Sequence, residues 1–114
     1  MFAKRIDLSA GAIVFVGPQT GAGEERLVDT LRAIFAKAPR VRRAYLVRVR
    51  YPERANEDIA LCLVGEDDDV VIDAVQRVYF ELFNQGEHLD VFFVTAAEEL
   101  RLAGVSQPFY DVSA

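Results

Sequence analysis

The chain has 114 residues, 52% of them hydrophobic, and 18 acidic against 13 basic residues give a net charge of −5. That length suits one domain that buries its core without help from a metal or disulfide, and the acidic balance argues against non-specific nucleic-acid binding. A single cysteine, Cys62, excludes an internal disulfide, and with no secretion signal and no apolar run near the ~20 residues of a membrane helix, residues 1–114 read as one cytoplasmic domain.

Residues 12–16 are all apolar and predict a strand buried on both faces. Residues 17–23 hold three glycines and Pro18 and predict a loop. Leu27, Val28, Leu31, Ile34, Phe35 and Ala38 recur at three- and four-residue spacing and predict a helix over 24–38. Glu24 and Glu25 suit its first turn, and Pro39 lies just past its end.

Residues 41–51 predict a strand, with Arg42, Arg48 and Arg50 on one parity and Val41, Tyr45, Val47 and Val49 on the other. That half-wet pattern places it at a sheet edge. A hairpin loop at 52–56 leads to an apolar, central strand at 59–64. The second helix is expected at 69–84, capped by Asp68 or Asp69, with Gly86 beyond it. Asp73, Gln76, Arg77, Glu81 and Asn84 form its one polar stripe. A strand at 89–95 and a short helix at 96–103 follow, with Thr95 as N-cap and Gly104 at the end.

The order β-α-β-β-α-β, with a short C-terminal helix and tail, predicts an α+β fold. The simplest layout is a four-stranded, mainly antiparallel sheet with two helices on one face, the split βαβ or ferredoxin-like plan. In that plan the first and third strands are central and the arginine-bearing second strand is at an edge. Two helices shield only one face. The apolar surplus then calls for a second subunit, the N-terminal residues or the tail on the other.

No motif specifies a reaction. Counted from Gly17, a phosphate loop would need glycine where Ala22 stands and lysine where Gly23 stands, and Glu24 and Glu25 would repel phosphate. The dinucleotide pattern fails at Arg26. The acidic run at 66–69 lacks calcium-loop spacing and reads as a helix start. Arginines at 40, 42, 43, 48, 50 and 54 form the one basic cluster. It reads either as an anion site or as a charged strand facing Glu53, Glu57 and Asp58. Cys62 sits in an apolar strand and reads as a core residue. His88, the only histidine, has no second histidine to share a zinc ion, and Ser9, Ser106 and Ser113 lack nucleophile-elbow spacing. Phe109 and Tyr110, beside Pro108, are costly to leave in water and are expected to dock on their own domain or on a partner.

These residues also carry a resemblance. Val41-x-x-Ala44-Tyr45-Leu46, the apolar strand and second helix after it, Leu89-Asp90-Val91 and the closing Pro108-Phe109-Tyr110 resemble the C-terminal domain of SseB, the enhanced serine sensitivity protein, over about residues 11–110. The resemblance implies a bacterial cytoplasmic α/β domain with no established catalytic residues. The N-terminal domain that usually precedes it in the family has no counterpart here, so a surface that normally faces that domain is expected to be exposed.

The leading expectation is a non-enzymatic interaction or regulatory module that self-associates or binds a protein partner. Its contacts would come from the sheet face and from Val105, Pro108, Phe109 and Tyr110. The alternative is a sensor of a small anionic, amino-acid-type ligand held by Arg42, Arg48 and Arg50. An enzyme ranks third, and neither a cofactor, a metal, nucleic acid nor a membrane is expected as partner.

Overall fold

The computed structural model describes residues 13–19, 21–52, 57–83 and 89–112. In chain order the elements are β1 (Val14–Pro18), α1 (Ala22–Phe35), β2 (Val41–Arg50), β3 (Glu57–Gly65), α2 (Asp69–Phe83), β4 (Asp90–Phe93), α3 (Ala96–Ala103) and β5 (Tyr110–Asp111). The α+β class and the expected order of elements hold. α3 has its expected bounds and its expected cap: Thr95 accepts from the Glu98 backbone while the Glu98 side chain accepts from the Thr95 backbone.

The strand arrangement departs from the split βαβ plan. β2 and β3 pair antiparallel along nearly their full length and form the centre of the sheet. β4 lies parallel to β3, and α2 supplies the long crossover that parallel neighbours need. On the other side, β2 takes two short antiparallel strands end to end. β1 covers positions 47–50 and β5 covers Arg43 and Ala44. The arginine-rich strand is therefore central and the first strand is at an edge.

The physical reason lies in where the arginines fall. They occupy the two ends of β2, while its middle, Ala44 to Val47, is buried on both faces. β1, apolar in composition, carries edge features: Val14 is 51% exposed, a bulge separates Phe15 from Gly17, and Pro18 ends the strand.

Strand alternation sorts the core into two halves. Ala44, Leu46, Leu61, Leu63 and Val91 face α1 and α2, where Leu27, Leu31, Phe35, Val71, Val75 and Tyr79 meet them. Phe15, Tyr45, Val47, Val49, Cys62, Val64, Phe92 and Val94 face the other way, with Leu102 of α3 packed among them. Arg101 of α3 lies 5.8 Å from the centre of the Phe15 ring. Val47, Val49 and Cys62 are fully buried within a single chain. The far sheet face thus needs no second subunit to shield it.

The outer stripe of α2 also differs from expectation. Gln76 is buried, and its Nε2 donates to the Leu89 carbonyl at 3.1 Å. Val70 and Phe80 instead face solvent beside Asp73, Arg77 and Glu81.

Candidate functional site

The predicted arginines separate into two groups. Arg48 and Arg50 both reach Glu57 of β3, at 3.2 and 4.0 Å, forming a cross-strand cluster at one end of β2. Arg42 lies six positions back along the strand, about 20 Å away at ~3.3 Å per residue. Its carbonyl accepts from Val112 beside β5. The three do not converge on one point.

The tightest polar cluster lies on the far face, and the sequence reading did not single it out. Arg43 donates through Nε and Nη2 to the two carboxylate oxygens of Glu99, at 2.6 and 2.7 Å, and the Tyr45 hydroxyl donates to the same carboxylate at 2.8 Å. The bond from Arg43 holds the Glu99 carboxyl below the usual carboxylate range, against the opposing effect of burial. Burial, with Glu99 next to it, pushes the Tyr45 hydroxyl up to about 12. This is a latch that ties α3 to β2. A second latch joins Tyr51 to Asp90, whose Oδ2 accepts the tyrosine hydroxyl at 2.5 Å in a buried setting. Alternating parity in β2 places Arg43 and Tyr45 on one face, but only the tertiary placement of α3 reveals Glu99 as their partner.

The tail docks on its own domain. The Phe109 amide donates to the Ala44 carbonyl at 2.9 Å, and β5 then pairs with β2. The rings of Phe109 and Tyr110 lie 6.2 and 5.4 Å from that of Phe35, and the Tyr110 hydroxyl donates to the Phe35 carbonyl at 3.0 Å. Of the four expected contact residues, Pro108, Phe109 and Tyr110 are half-buried in this way, while Val105 stays 38% exposed.

A groove of about 390 Å³ opens where the β2 edge passes from β1 to the tail. Gln19 leaves the edge there, its amide donating to the Leu46 carbonyl, and Phe109 enters two positions along. Leu46, Val28, Pro18 and Phe109 give the groove an apolar lining. Glu24, Glu25 and Asp29 line its α1 side, with Arg32 as the one cation among the described residues. Arg32 donates to the Phe109 carbonyl at 3.0 Å and to Asp29 at 3.1 Å. The groove is acidic, so it suits a ligand with a cationic end.

The remaining candidates have structural partners or fall outside the described residues. Asp68 accepts from the Val70 and Val71 amides and so caps α2, and Arg40 donates to the Asp67 carbonyl. Cys62 is fully buried, and burial pushes its thiol well above the ordinary value. No group of three potential metal ligands occurs among the described residues. No helix of the described chain is long and apolar enough to cross a membrane. His88, Arg54, Gly86, Ser9 and Ser113 lie outside the described residues.

The family model for the SseB protein C-terminal domain matches residues 19–111, from the end of β1 through β5. The chain belongs to this family. The match takes in both helices of the first core half and the whole tail that closes the β2 edge. Membership of the SseB C-terminal family suggests a non-catalytic domain. No curated protein and no solved structure shows significant similarity to the chain.

Proposed function

We propose that this SseB C-terminal domain is a non-enzymatic protein-interaction module that self-associates in the cytoplasm. The observation that carries the reading is the exposure of Val70, 77%, and Phe80, 49%, on the outward side of α2. The sheet face that first suggested association is shielded inside one chain, so α2 replaces it as the contact surface. The polar clusters support a role without chemistry: Arg43, Tyr45 and Glu99 bond one another, and Tyr51 bonds Asp90. A lone buried thiol suits a reducing compartment. Sedimentation velocity over a concentration series tests the reading. The weight-average mass should climb toward twice the chain mass, and a constant monomer mass would count against it.

A second reading has its own observation, the groove beside Phe109. Its volume falls within the range of small-molecule sites. An amino acid would place its ammonium against Glu24, Glu25 or Asp29 and its carboxylate toward Arg32. The cationic end, more than the anionic one, would set affinity there. This moves the ligand-sensing idea from the ends of β2 to the tail junction. Titration with serine and related amino acids, followed by amide chemical shifts, tests it. Shifts at Gln19, Val28 and Phe109 would support it, and an unchanged spectrum would retire it.

A further inference from the structure

The surface of α2 carries a symmetry that specifies its own partner. Val70 and Phe80 are ten residues apart and centred on residue 75. Asp73 and Arg77 are four apart and centred on the same residue. All four side chains face solvent, whereas Val75 itself is fully buried on the opposite side. Two α-helices packed antiparallel about a two-fold axis that runs between them at the level of residue 75 bring position 70 level with position 80 of the second copy, and 73 level with 77. At 1.5 Å of rise per residue, the apolar pair lies about 15 Å apart along the axis and the charged pair about 6 Å.

We infer that α2 is the contact between two copies of this chain, packed antiparallel about a two-fold axis at residue 75. Val70 of one copy then meets Phe80 of the other, and Asp73 meets Arg77, each contact occurring twice. The inference rests on the self-associating reading above and names its surface and register. Charge complementarity selects a second copy as the occupant. An unrelated apolar partner would leave Asp73 and Arg77 only each other, four residues apart on one helix. A parallel arrangement would set Asp73 against Asp73 and Arg77 against Arg77. Asp69 and Glu81 also map onto each other and repel, but they lie at the ends of the contact, where solvent screens them. One helix face is small for an interface, so the dimer is weak and concentration-dependent.

Sedimentation equilibrium of the full chain and three charge variants tests the inference. Arg77→Asp alone and Asp73→Arg alone each put like charges together twice, and each should raise the dimer dissociation constant about tenfold or more, a change of ~1.4 kcal/mol. The double variant D73R/R77D restores opposite charges and should return the constant to near the parent value. Thermal melts of the variants separate loss of association from loss of folding, and Phe80→Ser provides a charge-independent probe that should also weaken the dimer. A parent chain that stays monomeric at every concentration would overturn both this contact and the self-associating reading. A dimer indifferent to the single variants and to Phe80→Ser, or one the double variant fails to restore, would overturn the contact and leave self-association standing.

Discussion

Arg43 and Glu99 stand 56 residues apart in the chain and meet in a two-point ion pair of 2.6 and 2.7 Å, with the Tyr45 hydroxyl on the same carboxylate. The pair fixes α3 against the far side of β2. That position brings Leu102 into the second half of the core and Arg101 over Phe15.

Breaking this latch should loosen the fold. Charge-assisted hydrogen bonds contribute about 1.5–3 kcal/mol each, and both side chains here are mostly shielded. Glu99→Gln should therefore lower the unfolding free energy by about 2 kcal/mol. The folded-state pKa of Glu99 lies below its unfolded value. Its contribution is thus present above the ordinary carboxyl range and is lost as pH falls through the lowered folded value. Urea melts across the acid range should show stability declining as pH drops, with part of that slope missing in Glu99→Gln. An identical acid slope in both proteins would remove the latch from the account.

Gly65 should tolerate no side chain. Its φ is +150°, and an added Cβ would fall inside the contact distance of the Arg40 carbonyl, to which the Glu66 amide also bonds. Gly65→Ala should cost about 3 kcal/mol or more, combining backbone strain with displacement of the strand entry. Thermal denaturation checks this, and a melting temperature within a degree or two of the parent would contradict it.

The buried thiol should be inert. Cys62 is completely enclosed, and burial holds its thiol protonated far above neutral pH. A chromogenic disulfide reagent should therefore label it only at the rate of unfolding, and at once in denaturant. Rapid labelling under native conditions would show that the far sheet face is open.

The tail should behave as part of the fold. Tyr110→Phe removes one hydrogen bond to the Phe35 carbonyl and should cost about 1 kcal/mol. Phe109→Ala removes a ring from the Phe35 cluster and opens the groove floor, so it should cost about 2–4 kcal/mol. Chemical denaturation measures both. Equal stability of all three proteins would mean that the tail contributes nothing to folding.

Local patterning carried most of the elements. Three- and four-residue spacing marked α1 and α2, and Thr95 three residues before Glu98 marked the start of α3. Strand order was harder to read because charge is ambiguous in a long strand. Arg42, Arg48 and Arg50 mark the ends of β2, where they are exposed or half-buried, and the same pattern describes an edge. The two-strand completion of the β2 edge brings segments near opposite ends of the chain onto one strand, which no local pattern encodes. The same holds for the candidate surfaces. The groove joins Gln19 to Phe109, and Glu99 reaches Arg43, only after folding. The polar stripe expected on α2 includes Gln76, which is buried, and leaves out Val70 and Phe80, which are exposed, because an apolar side chain carries no local mark of which way it faces.

Amide and methyl NMR spectra of the full chain, recorded from dilute to concentrated solution, test most directly where the apolar surplus goes. The account predicts concentration-dependent shifts confined to α2, centred on Val70, Asp73, Arg77 and Phe80, with Val47, Val49 and Cys62 unmoved. Shifts on the sheet residues instead, or a spectrum unchanged at every concentration, would contradict it.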